Sequence, residues 1–107
     1  MEIRLPNFTW FINYLPEGAG SGTPFSGSLG TDPAVGFMKS KSFNYNVFLC
    51  RKEEGALEFL VESYTLPPWA PGISPQRGDE ASELFAGSEE AIPEIESYLL
   101  GRARELL

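Results

Sequence analysis

The chain has 107 residues, with 8 Lys and Arg against 15 Asp and Glu, no His and one Cys, so its formal net charge is −7. This composition excludes mechanisms that need imidazole, Cys-rich zinc sites and any disulfide within one chain. Apolar residues make up 42% of the chain and aromatic residues 13%, which is ample for a hydrophobic core. We therefore expect a single domain over residues 1–107, with no cofactor and no metal site.

The first predicted element is a strand over residues 2–15. Its residues alternate with the period of two that is typical of strands, and one face is aromatic or apolar at four positions: Phe8, Trp10, Ile12 and Tyr14. The opposite face also carries apolar side chains: Ile3, Leu5, Phe11 and Leu15. Because proline has no N–H group to pair, Pro6 indicates that the strand starts after it or lies at an edge.

Residues 16–36 are rich in glycine and proline, which is typical of loops. Residues 25–29 predict one short strand within this region. The Gly-Ala-Gly-Ser-Gly run at residues 18–22 follows a strand, as phosphate-binding loops do. No helix and no Gly-Lys-Ser/Thr sequence follows it, so a hairpin loop is the better interpretation.

Residues 37–66 predict a β-hairpin at the centre of the sheet. Its first strand, over residues 37–52, alternates polar and apolar side chains, and the apolar positions are Phe43, Tyr45, Val47 and Leu49. Gly55 suits the positive φ angle that a tight turn needs. The returning strand, over residues 57–66, carries apolar side chains on both of its faces.

Four prolines between residues 67 and 78 exclude a helix or a central strand, so we expect an extended crossing held by Trp69 and Ile73. A short helix is predicted over residues 79–86, with Asp79 as its cap and Gly87 at its end. The main helix is predicted over residues 93–106, where Pro93 suits the first turn. It carries an apolar stripe at helical spacing: Ile95, Leu99, Ala103 and Leu106.

Together these elements predict the α+β class, with an antiparallel sheet of about four strands and a C-terminal helix packed on one face. The chain divides into a strand-rich part (1–66), a Pro-rich crossing (67–78) and an acidic helical part (79–107). One helix covers only one face of such a sheet, whereas the strands are apolar on both. The second face needs the Pro-rich crossing, a ligand or a second subunit as its cover, and of these we expect a homodimer.

Most of the negative charge lies in residues 79–107, which hold eight acidic and two basic residues. Such a surface attracts basic proteins and repels nucleic acid and anionic lipid. The longest unbroken apolar run, residues 47–50, is far too short to span a membrane, and the first residues do not match a signal peptide. We therefore expect a cytoplasmic protein that binds a second copy or a basic partner, and no membrane.

No spacing of residues selects a catalytic site, and we predict no catalytic residue. The best carboxylate pair, Glu58 and Glu62, lies four strand residues apart, about 13 Å, which is too far for glycoside hydrolysis. The Arg-Gly-Asp tripeptide at residues 77–79 is better explained as a turn followed by a helix cap. Lys39 and Lys41 flank a serine, but neighbours on a strand face opposite ways, so solvent-facing lysines are the better interpretation.

Three functions remain open. The leading hypothesis is a small non-enzymatic protein-interaction domain that self-associates. The first alternative is a binder of single-stranded nucleic acid, since aromatic side chains beside bases can stack nucleotides, although the net charge disfavours it. The second alternative is a small-ligand pocket under the Pro-rich segment, with Trp69 as its lid. The candidate interaction surface consists of six residues: Trp10, Tyr14, Lys39, Lys41, Tyr45 and Trp69.

Overall fold

A computed structural model describes residues 2–30, 41–68, 70–72 and 74–107. In these residues the chain has the predicted α+β class, with an antiparallel sheet of five strands and two helices. The elements in chain order are α1 (Phe8–Asn13), β1 (Gly20–Ser21), β2 (Phe25–Gly30), β3 (Ser42–Arg51), β4 (Leu57–Leu66), β5 (Gly78–Ala86) and α2 (Ala91–Leu106).

The β3–β4 hairpin is central, as predicted. The two strands pair over ten positions, from Arg51 opposite Leu57 to Ser42 opposite Leu66, and Gly55 in the turn has a φ of 93°. Since β4 occupies one side of β3 along its whole length, β1 and β2 both pair with the other side. The described sheet is therefore four strands wide, with β1 and β2 forming one edge and β5 the other.

One face of the sheet forms the core, and both helices pack on it. The apolar stripe predicted for α2 is buried there: Ile95, Leu99 and Ala103 are each 0% exposed. On the sheet side, alternate positions of β3 and β4 supply the core, and they are Phe43, Tyr45, Val47, Leu49, Phe59 and Val61. Within the described residues no helix packs on the other face, which carries Phe48, Leu60 and Leu84 and which we call the open face.

The N-terminal segment contains helix α1, so the predicted strand over residues 2–15 is wrong. Asn7 is the N-cap of α1, because its side-chain oxygen accepts a hydrogen bond from the N–H of Trp10 at 3.0 Å. Phe11 then packs edge-on against Phe59, with ring centroids 5.0 Å apart. So many residues are apolar here that strand and helix periods both fit, and the cap and the burial of Phe11 favour the helix.

The predicted short helix over residues 79–86 is also wrong, because this segment is strand β5. Asp79 does not cap a helix. It has a φ of 51° and lies at a bulge, where Asp79 and Glu80 together oppose Tyr64. Its carboxylate accepts a hydrogen bond from Thr65 Oγ1 at 2.9 Å. Residues 79–86 favour a helix locally, but they form a strand because β4 needs a backbone partner along its second edge.

Gly87 ends β5 rather than a helix, and its backbone lies so close to that of Leu57 that no Cβ would fit. Helix α2 then begins at Ala91, two residues before the predicted start, and Pro93 lies in its first turn. Residues 37–40 of the predicted hairpin strand lie outside the described residues. So do Trp69 and Ile73, the expected contacts of the Pro-rich crossing.

The left-handed conformation of Asp79 gives a stability prediction. We expect Asp79→Ala to lower the free energy of unfolding by about 1–2 kcal/mol, since alanine is strained at positive φ and cannot accept the Thr65 hydrogen bond. Asp79→Asn should cost clearly less, because asparagine tolerates this conformation and keeps an acceptor oxygen. Urea denaturation of the two variants measures the difference, and equal losses would contradict the role given to the bulge.

Candidate functional site

An apolar row crosses the middle of the open face. Phe48 on β3 lies opposite Leu60 on β4, and Leu60 lies opposite Leu84 on β5. Leu84 is 60% exposed, and the other two side chains are partly exposed. Three adjacent apolar side chains of this kind are a feature of surfaces that contact other molecules.

Carboxylates flank this row on both sides along β4. On the hairpin side, Glu58 accepts a hydrogen bond from Lys52 Nζ at 2.8 Å, and this bond raises the pKa of Lys52 above its ordinary value. On the other side lies Glu62, opposite Ser82. Among the described residues Glu62 has no cation within ion-pair distance. The open face therefore combines an apolar centre with an unneutralised acidic side chain.

A cleft of about 250 Å³ lies at the end of the open face, next to the β5 bulge. The guanidinium of Arg77 lies over the Tyr64 ring, with its carbon 3.9 Å from the ring centroid. The remaining lining residues are Glu62, Ser63, Glu80, Ala81 and Ser82. The cleft thus presents one cation and two carboxylates, a set that suits a ligand carrying both charges.

A second polar cluster ties α2 to the same bulge from the core side. Arg102 donates from Nε to Ser63 Oγ at 2.9 Å and from Nη2 to the backbone oxygen of Asp79 at 2.8 Å. Lys41 Nζ lies 4.0 Å from the Asp79 carboxylate. Asp79 thus contacts these partners although its side chain is 44% exposed, and Arg77 lies over Tyr64, so both charged residues of the tripeptide at 77–79 have contacts within the chain.

The six residues of the predicted interaction surface do not form one surface in the described part of the chain. Trp10 and Tyr14 are neighbours, with ring centroids 4.7 Å apart, and Tyr14 is 49% exposed. Tyr45 is only 7% exposed and faces the core. Lys39 and Trp69 lie outside the described residues.

Lys41 lies far from the aromatic pair. Trp10 contacts Phe25, which is opposite Val47 on β3, whereas Lys41 immediately precedes that strand. Six residues of strand separate Lys41 from Val47, or about 20 Å. The described residues therefore do not assemble the aromatic and basic surface that binding of single-stranded nucleic acid would use.

The two edges of the sheet differ in charge. The β5 edge carries Asp79, Glu80 and Glu83 as well as the bulge, and both features discourage pairing with another strand. The β2 edge, with the sequence Phe-Ser-Gly-Ser-Leu-Gly, carries no charge at all. Within the described residues no strand pairs with its outer side. Sequence reasoning missed this edge as a site, although the alternation of Phe25, Gly27 and Leu29 indicates it.

Within the described part of the chain, no cluster of three or more His, Cys, Asp or Glu side chains could hold a metal ion. Neither helix in that part is long and apolar enough to cross a membrane. No protein-family model, curated protein or solved structure matches this chain. The open face, its cleft and the β2 edge are therefore the features from which a function is argued.

Tyr45 gives a prediction for alkaline pH. Burial raises the pKa of its hydroxyl above the ordinary value, and the nearby Glu96 carboxylate acts in the same direction. The folded state thus holds the proton more tightly, so this contribution to stability is fully present below about pH 10 and is lost as the pH rises through the folded-state pKa.

We expect the stability of the native chain to fall more steeply above pH 10 than that of Tyr45→Phe, which has no proton to lose at this position. Denaturant unfolding of both proteins over a series of alkaline pH values measures the difference. Burial also raises the pKa of Tyr98, but Tyr98 is present in both proteins, so its contribution to the difference cancels. Parallel pH profiles would show that burial of the Tyr45 hydroxyl has no energetic effect.

Proposed function

We propose that this chain is a non-enzymatic, cytoplasmic protein-interaction domain that self-associates. One observation carries the proposal: both helices pack on the same face of the sheet. As a result, among the described residues, no helix packs on the opposite face and no strand pairs with the outer side of β2. A sheet that exposes Leu84 beside Phe48 and Leu60 gains from contact with another protein surface.

The charge distribution supports a protein partner over a nucleic acid. The open face carries Glu58, Glu62 and Glu80 against Lys52 and Arg77, on a chain with a net charge of −7. Phosphates are repelled by such a surface, whereas an apolar contact with another protein is not. A basic partner remains compatible with the acidic residues of β5 and α2.

We expect the native protein to be in reversible equilibrium between monomer and dimer. Because each copy carries the same negative charge, salt should screen their repulsion and raise the dimer fraction. Sedimentation velocity over a range of protein concentrations, at low and high salt, measures this. A single monomeric species under all these conditions would contradict self-association, and a dimer that salt dissociates would contradict an apolar or uncharged contact.

The cleft supports a second candidate function, the binding of a small ligand. Its volume of about 250 Å³ is below the roughly 300–1,000 Å³ of pockets that take drug-sized molecules. Arg77 can pair with a carboxylate of the ligand, and Glu62 and Glu80 with its ammonium group. A free amino acid has both groups at a suitable size.

We expect free α-amino acids to raise the melting temperature of the native protein, since a ligand that binds only the folded state stabilises it. Arg77→Gln should lose this effect, because it removes the group that pairs with the ligand carboxylate. Arg104→Gln, an equal change of charge at an exposed position of α2, is the matched control. Equal temperature shifts in all three proteins would show that the cleft is not a ligand site.

A further inference from the structure

The edge strand β2 has a sequence that is nearly symmetric about its centre. Around Gly27, residues 25–29 are Phe-Ser-Gly-Ser-Leu, so each side of Gly27 has a serine followed by a large apolar residue. Phe25 and Leu29 pair with Val47 and Phe43 and so lie on the core face. The two serines lie on the open face. Each half of this segment therefore places one serine on the open face and one large apolar side chain on the core face.

We propose that two copies of this chain pair their β2 strands antiparallel, about a two-fold axis that is normal to the sheet and passes midway between the two Gly27 residues. This rests on the self-association proposed above and specifies its contact surface. In this register Phe25 of one copy lies opposite Leu29 of the other, and Ser26 lies opposite Ser28. An interface about a two-fold axis must be self-complementary, and this strand meets that condition at each of the five positions.

The faces of the sheet limit which register is allowed. An axis normal to the sheet keeps each face on its own side, so residues that oppose each other must belong to the same face. A shift by one residue would set Ser26 opposite Leu29, or Ser28 opposite Phe25, and these side chains belong to different faces. Centring the axis on Ser28 keeps the faces but sets Leu29 opposite Gly27, which loses the pairing of two large apolar side chains. The register about Gly27 is thus the favoured one.

Charge selects β2 over the other edge. Pairing two β5 strands would bring the acidic side chains of Asp79, Glu80 and Glu83 together, and the bulge would interrupt the ladder. Strand β2 has no charged residue. In a chain with a net charge of −7, an uncharged edge allows close approach of two copies at the least electrostatic cost.

Strand β2 is already held in the conformation that pairing needs. Its inner side pairs with β3 over six positions. On the open face, Ser26 Oγ donates a hydrogen bond to Asn46 Oδ1, and Ser28 Oγ donates one to Asn44 Oδ1. A strand fixed in this way loses little further conformational freedom when a second copy adds to its outer side. The paired sheets would keep both open faces on the same side of the dimer.

Two double variants at the same positions test the register. Ser26→Glu/Ser28→Glu sets glutamates opposite each other twice, and we expect it to weaken the dimer by about tenfold or more. Ser26→Glu/Ser28→Lys sets each glutamate opposite a lysine of the second copy, and we expect it to dimerise at least as well as the native protein. Both variants lose the same two serine hydrogen bonds to Asn46 and Asn44, so this effect on the fold of the monomer is matched. Sedimentation equilibrium gives the dissociation constants.

Three results would overturn the inference. The first is a Glu/Glu variant that dimerises as well as the native chain. The second is a Glu/Lys variant that stays monomeric while its circular dichroism is native, since that would exclude the register about Gly27. The third is loss of the dimer in Leu84→Glu alone, which would place the contact on the open face and leave self-association standing. A native chain that is monomeric at every concentration would instead refute the proposed function itself.

Discussion

The ten paired positions of β3 and β4 are the constraint on which the rest of the structure depends. This register puts Val47 beside Val61 and Leu49 beside Phe59, so one face of the hairpin is continuously apolar and buries beneath the helices. The same register sends Phe48 and Leu60 to the opposite face. Burial of one face and exposure of the other are therefore two consequences of a single pairing, and the apolar row of the open face lies where that pairing exposes side chains.

The sequence predicted correctly those elements whose conformation is decided by residues close together in the chain. The hairpin and α2 were predictable because each has a clear hydrophobic period and a nearby turn or proline. Helix α1 was not, since residues 8–15 fit two periods, and the Asn7 cap and the burial of Phe11 against Phe59 favour the helical one. Strand β5 was not, because its helix-forming residues adopt the strand only through pairing with β4, which is distant in sequence.

The candidate sites also differ in whether the sequence predicted them. The open face was predicted, since apolar residues on both faces of the 57–66 strand require a second contact. Tyr45 was wrongly placed on the interaction surface, although its alternation with Val47 indicated that it faces the core. There its ring lies so close to Gly27 that a Cβ atom at residue 27 would not fit. The short strand predicted over residues 25–29 is present as β2, but its position at an edge of the sheet was missed. That position follows only from the pairing of β2 with β3, which is distant in sequence.

The strong acidity of the chain and its self-association are compatible because the charges are unevenly placed. The acidic residues of β5 lie along one edge, where they discourage strand addition, and those of α2 lie behind the core face. Strand β2 lies at the opposite edge, separated from β5 by two strands, or about 14 Å. In a dimer paired through β2, the two β5 edges are seven strand spacings apart, about 33 Å, so the repulsion between them is largely screened at physiological salt. The same charges that keep one edge from pairing therefore leave the other edge as the favoured place for a second copy.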